Sequence, residues 1–449
     1  MPMILPITAR VNARNHLEIG GCDCLDLARE FGTPLYIFDE ATLRNRCRAY
    51  REAFGRRYAD VLVLYASKAF LNPALAAIFK EEGLGLDVVS SGELYVAKKS
   101  GFPLSKVYFH GNNKSAEELA MALDWGVGRI VVDNFHELEI LNRLALEKGQ
   151  VAEILLRLSP GVDPHTHAYN TTGIVDSKFG FPIATGQAEA ALEQALASPD
   201  LRLVGLHAHI GSQIFELEPY RDTVRILLEF AADMVERHGF QMAEFSPGGG
   251  WAIRYTQADE PPEPEGIAEA VVETLRDEAA WHCLPLPKLV VEPGRSIVGL
   301  AGVALYSVGA RKEVPGLRTY AFVDGGIADN IRPALYRARY EAIVANKAGD
   351  PATETVTIAG KYCESGDILI QEIALPPLVA GDLLAIPASG AYCLSLASNY
   401  NLALRPPIVL VKEGKARLIR RRESYEDLLR NDLFGEEKKY VRQNESLPF

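Results

Sequence analysis

Cysteine is scarce in this chain: there are six (Cys22, Cys24, Cys47, Cys283, Cys363 and Cys393), none in a C-x-x-C pair. That excludes a disulfide framework and a zinc ribbon, and it points to a reducing, cytoplasmic compartment. Positive charge is also in deficit, with 47 basic against 59 acidic residues and a net charge of −12. A phosphate backbone or an anionic membrane surface is therefore a poor main partner, and neither nucleic-acid nor membrane binding is expected. The one basic cluster, Arg417–Arg422, reads as a solvated strand face. No uninterrupted apolar run approaches the roughly 18 residues needed to cross a bilayer. Met1–Arg10 shows neither a basic n-region nor a cleavage pattern, so no targeting segment is expected there.

What remains is an ordinary globular composition, 48% hydrophobic and 24% charged over 449 residues. Such a chain has room for two or three domains and a core that stands without covalent staples. Short apolar, β-branched runs recur at Leu62–Lys68, Gly85–Ser91, Val107–Asn112, Arg129–Asn134, Ile154–Ser159, Val204–Ser212, Phe245–Gly250 and Leu289–Arg295. Between them lie amphipathic stretches such as Asn72–Glu82, Ala116–Asp124, Asn134–Lys148, Thr185–Ala197 and Glu218–Arg237. Strands alternating with helices make parallel βαβ units, and eight of them fit an α/β fold of the (β/α)8 barrel type, placed over residues 36–298. After Gly299 the pattern becomes strand-like with little helix, which predicts a β-rich domain over 299–449 that also takes in residues 1–35. The Pro/Glu stretch Asp259–Gly266 reads as a mobile loop after the seventh strand.

Nearly every run starts apolar and ends in a reactive residue: Lys68, Ser90, His110, Asp133, Arg157, His207 and His209, Gly248–Gly250, then Glu292 and Arg295. In a barrel these C-terminal strand ends converge on one mouth. Lys68 there is either a snorkelling strand-end lysine or an amine whose pKa is lowered by desolvation, ready to form a Schiff base. Gly248, Gly249 and Gly250 follow the seventh strand, where barrels commonly bind phosphate, although a flexible turn has the same composition. Glu292 at the foot of such a pocket suits a pyridinium nitrogen, or else a structural ion pair with Arg295. His207 and His209 are two apart, as are His165 and His167, which invites a zinc reading. No carboxylate or cysteine stands at matching ligand spacing, so no metal is expected, and His209 beside Gly211 and Ser212 suits a ring stacked on a planar cofactor. Cys363–Asp367 forms a polar turn in the β domain that presents Cys363, Glu364 and Asp367 together.

These residues stand in the segments Tyr-Ala-Ser-Lys-Ala (65–69), Leu-Asp-Val-Val-Ser-Ser-Gly-Glu-Leu (86–94), Tyr-Phe-His-Gly-Asn-Asn-Lys (108–114) and Asp-Ser-Lys-Phe-Gly (176–180). Further along come His-Ile-Gly-Ser-Gln (209–213), Glu-Pro-Gly-Arg-Ser (292–296), Arg-Pro-Ala-Leu-Tyr (332–336), Cys-Glu-Ser-Gly-Asp (363–367) and Ser-Asn-Tyr-Asn (398–401). Taken together, nearly the whole chain resembles the fold-type III pyridoxal-phosphate-dependent decarboxylases. The 332–336 and 363–367 segments are similar to those of the branch that acts on diaminopimelate. The resemblance implies pyridoxal 5'-phosphate carried by Lys68, stacked on His209, with its phosphate among Ser212, Gly248–Gly250, Gly294, Arg295 and Tyr392 and its ring nitrogen on Glu292. It further implies that Arg295, Arg332, Tyr336 and Tyr392 bind substrate, with Glu364 on the distal amine and Cys363 as proton donor. In the family that turn reaches the partner subunit's barrel, so a homodimer with shared active sites is implied. The competing readings are a relative acting on ornithine, arginine or carboxynorspermidine, a non-catalytic pyridoxal-phosphate binder, and a metal-dependent barrel hydrolase using His207 and His209.

Overall fold

The computed structural model describes residues 3–163, 172–173 and 176–433. Eight parallel strands, Val61–Ala66 (β1), Gly85–Val88 (β2), Val107–Phe109 (β3), Arg129–Val132 (β4), Ala152–Ser159 (β5), Leu201–His207 (β6), Glu244–Ser246 (β7) and Lys288–Val291 (β8), pair in sequence order. Pairing of β8 with β1 closes the barrel. Each strand matches one of the apolar runs read from the sequence.

Alternation along the strands sorts the barrel interior into layers. Leu64, Tyr108, Val131, Leu155, Val204 and Val290 form the apolar layer. Two residues earlier on three strands stand Arg129, Glu153 and Lys288, which with Glu244, level with Lys288 on β7, make a charged plug in which Arg129 pairs with both glutamates and Lys288 Nζ lies 3.3 Å from Glu244. Moving two residues past the apolar layer reaches His110, Asp133, Arg157 and Glu292, all buried. A period of two thus carries β4, β5 and β8 from plug to apolar seal to polar mouth.

The helices start where side chains cap them. Asn72, Ser90, Ser115 and Asn134 each accept an N–H from the first turn of the helix they precede, Pro73–Glu81, Ser91–Lys99, Ala116–Trp125 and Phe135–Lys148 respectively. Glu93 and Glu137 reach back from two of these first turns to the N–H groups of Val89 and Asp133, which ties helix start to strand end. Of the stretch 259–266 expected as a loop, 259–263 is one and 264–266 is helix. Asp259 accepts from Tyr255 N and Thr256 N, and Pro264 already opens the helix Pro264–Trp281. Proline at a first turn suits a helix as well as a loop, so composition does not show where the loop ends.

The second domain is a nine-stranded sheet built on the long strand Gly302–Val314. Leu35–Asp39 lies within it, between Gly302–Val314 and Ile408–Lys412, so the barrel begins at the following helix Glu40–Arg57 rather than at residue 36. The strands Arg10–Val11, Leu17–Ile19 and Cys22–Asp23 form a small sheet whose Leu17 and Ile19 pack on Leu35, Ile37, Val303 and Val409 of this domain. Tyr392 N donates to Ala69 O at 2.8 Å, and this bond docks the second domain onto the turn that carries Lys68.

Candidate active site

A cavity of about 550 Å³ opens at the barrel mouth. Of the residues expected there, Lys68, His209, Ser212, Glu292, Arg295, Arg332, Tyr336 and Tyr392 all line it. Lys68 sits in the short turn Ser67–Ala69 directly after β1, and its Nζ lies 3.5 Å from Asp87 Oδ2 on β2. The expectation of a lowered amine pKa is corrected here. Burial does lower it, but Asp87, Tyr392 and Glu292 more than offset burial, and the Lys68 ammonium lies above its usual range.

Glu292 forms the floor. His207 Nε2 lies 3.1 Å from its Oε2, Ser246 Oγ donates to its Oε1 at 3.1 Å, and His110 Nε2 is 3.5 Å from Oε1. Burial pushes this carboxyl up, but His207 and His110 outweigh it, so Glu292 sits below the usual carboxylate range and is ionised at neutral pH. Burial holds the imidazoles of His110 and His209 well below the usual histidine range, so both are neutral. The two histidines read as sharing a strand face part company: β6 ends at His207, which faces Glu292, while His209 lies in the loop and its Nδ1 is 3.4 Å from Gly249 N. His110, His207 and Glu292 do bring three ligand atoms within 4.8 Å of one another, and His209 is not part of that group.

Gly248, Gly249, Gly250 and Gly294 stand behind the cavity wall. A Cβ at 249 would sit 1.9 Å from Glu292 O, one at 250 2.0 Å from Gly211 O, and one at 294 2.9 Å from Ala66 Cβ. Close backbone packing therefore demands glycine here whether or not an anion binds.

At the far side Arg295 Nη2 donates to Ser212 Oγ at 2.9 Å and its Nη1 to Tyr255 OH at 2.6 Å. Arg332 opens the short helix Arg332–Tyr336 and donates to Tyr340 OH. Both guanidiniums are buried, and among the described residues neither is paired with a carboxylate. Several buried polar atoms at the mouth also lack a hydrogen-bond partner among the described residues: both oxygens of Asp87, His110 Nε2, His207 Nδ1 and Nε of Arg295 and Arg332. An amine, an ionised carboxylate floor and two uncompensated cations around a cavity of this size fit a pyridoxal-phosphate group together with an anionic substrate.

Cys363 and Glu364 are exposed and lie outside this cavity, on a turn held by Tyr362 N and Ile327 N to Asp367 and by Cys363 N to Asn401. Cys363 lines a separate surface cleft with Tyr362 and Asn401. His165 and His167 lie outside the described residues. Sequence reading assigned no role to Asp87, Tyr255 or Tyr340. Asp87 was within reach as the inward residue of an apolar strand; the two tyrosines carry no local signal.

The chain belongs to the pyridoxal-dependent decarboxylases: the family model for their pyridoxal binding domain matches residues 40–299. Within that class, it is 49% identical over 431 residues to the diaminopimelate decarboxylase of Bacillus subtilis, covering 96% of this chain and 98% of the relative. The diaminopimelate decarboxylase of Synechocystis is 47% identical over 438 residues, covering 96% of this chain and 92% of the relative. Among solved structures, the diaminopimelate decarboxylase of M. jannaschii in complex with L-lysine superimposes with a TM-score of 0.90 at 36% identity, covering 96% of this chain and 98% of that one.

Proposed function

We propose that this chain removes CO2 from meso-2,6-diaminopimelate to yield L-lysine, the last step of lysine biosynthesis, with pyridoxal 5'-phosphate held by Lys68. The observation that carries this reading is the pair of buried guanidiniums, Arg295 and Arg332, in the cavity of Lys68 without carboxylate partners among the described residues. Buried charge without a partner is costly, so the ligand must bring anions. A cofactor phosphate answers Arg295 and Ser212; a carboxylate at the far end of the substrate answers Arg332. Amino acids without that second carboxylate leave Arg332 uncompensated, which is a strong basis for rejecting them.

Bound pyridoxal phosphate supplies the electron sink for the pair released when the carboxylate departs. Glu292, ionised and fixed by Ser246 and His207, keeps a proton on a ring nitrogen set against it. His209 offers a neutral imidazole face at the wall of the cavity, and Asp87 orients the Lys68 amine. Tyr336 and Tyr392 complete the substrate's enclosure. Cys363 supplies the proton that replaces CO2, and Glu364 meets the distal ammonium, both in the cavity of a second copy. Their exposure on a turn tied down at both ends supports delivery outward rather than into their own barrel. Unpaired cysteines favour the reducing cytoplasm as the place of work. Among the described residues, no helix is long and apolar enough to cross a membrane.

Arg332→Ala tests the substrate directly. Loss of the charged contact is expected to lower kcat/KM on diaminopimelate by about 100-fold. Full activity in that variant would contradict the substrate assignment.

A further inference from the structure

Tyr255 and Tyr340 have no part in the reading above, yet they touch both of its arginines. Tyr340 OH accepts from Arg332 Nη1, and the Arg332 guanidinium lies 4.5 Å over the Tyr255 ring and 5.4 Å from that of Tyr340. Tyr255 OH accepts from Arg295 Nη1 at 2.6 Å. The two rings meet edge to face with centroids 5.3 Å apart and planes at 82°. Behind them the Tyr340 hydroxyl lies 3.5 Å from Cys393 Sγ, which donates to Asn330 Oδ1 at 3.4 Å, and all of these side chains are buried. Tyr255 is thus shared: its hydroxyl holds one guanidinium and its face carries the other.

A buried guanidinium is ordinarily held by a carboxylate, whose charge would cancel the one needed for a ligand. A phenol accepts one N–H and lends a π face while adding no charge. Burial keeps the Tyr340 hydroxyl well above the usual phenol range despite Arg332, so it remains neutral.

We infer that Tyr255 and Tyr340 form a neutral clamp that fixes Arg332 beside Arg295 while leaving its charge free, and that they are positioning residues for selection of a substrate with a distal carboxylate. This rests on the decarboxylase function proposed above and deepens it. The clamp has two separable halves: Tyr340 OH and the Tyr255 face serve Arg332, whereas Tyr255 OH serves Arg295 and the phosphate side.

The test is calorimetry of L-lysine and cadaverine binding to the pyridoxal-phosphate-loaded protein, since cadaverine lacks the far-end carboxylate. Tyr340→Phe is expected to raise the Kd of L-lysine about tenfold, as for a lost hydrogen bond to a charged group, with cadaverine unchanged within about twofold. Tyr255→Phe keeps the ring under Arg332, so L-lysine selectivity is expected to hold while retention of pyridoxal phosphate on dialysis falls. A Tyr340→Phe protein that binds both ligands equally more weakly, or L-lysine as tightly as before, overturns the clamp. So does an unmodified chain that does not prefer L-lysine over cadaverine. Preference for L-lysine without lysine release from diaminopimelate would instead sink the proposed reaction and leave the clamp standing.

Discussion

At the residue scale the site is a set of opposed charges kept apart. Lys68 and Asp87 lie at 3.5 Å, a distance that favours the ammonium and explains why burial does not win. Removing that carboxylate shifts the balance towards the neutral amine, the form that captures an aldehyde. In Asp87→Asn the pH dependence of pyridoxal-phosphate capture by the cofactor-free protein is therefore expected to move to lower pH, read from visible absorption. An unchanged profile, or a move to higher pH, would contradict the role given to Asp87. The sequence places this amine at the barrel mouth but suggests the opposite sign of shift, because Asp87 comes from another strand and its approach depends on barrel closure. Tyr255 and Tyr340 were out of reach for a similar reason: they meet across two domains, and neither position differs from an ordinary core tyrosine in its local pattern.

At the scale of elements, local chemistry was readable wherever one strand or cap decides it. The eight barrel strands and the helices expected at Asn72–Glu82, Ala116–Asp124 and Asn134–Lys148 follow from periodicity, whereas the helix Ser91–Lys99, capped by Ser90, is not among those expected. The strand Ile368–Leu375 was not read, since Gln371 and Glu372 interrupt its apolar run; both are exposed on the edge of the sheet. In the glycine loop, close backbone packing demands glycine independently of the phosphate contact expected there. Gly249→Ala is expected to cost upwards of about 2 kcal/mol, because its Cβ would meet Glu292 O at 1.9 Å and displace the strand end that carries the floor of the cavity. Gly55→Ala, in the last turn of the helix Glu40–Arg57 with nothing within 4 Å of the added carbon, is expected to stabilise by up to about 1 kcal/mol. Urea midpoints check both; equal effects of one sign would refute the packing argument.

For the whole molecule, the separation of Cys363 and Glu364 from the Lys68 cavity is the decisive feature. A head-to-tail dimer that trades these turns leaves one intact site in a mixed dimer of Lys68→Ala and Cys363→Ala chains. Co-expression of the two inactive variants is expected to restore about a quarter of full activity by random C2 pairing. Failure to restore any, with dimers present by sedimentation, would contradict shared sites. The fold was legible as a whole because a barrel and a β domain differ in their periodicities. The boundary at residue 36 was not, because Leu35–Asp39 reads as any apolar strand and only its partners place it in the second sheet.

The most direct measurement is lysine release from meso-diaminopimelate, with and without added pyridoxal phosphate, with the visible absorption of the protein recorded in the same sample. Cofactor-dependent release of L-lysine, with absorption that disappears in Lys68→Ala, is the expected result. Protein that neither absorbs nor releases lysine when pyridoxal phosphate is supplied would contradict the assignment of both cofactor and reaction.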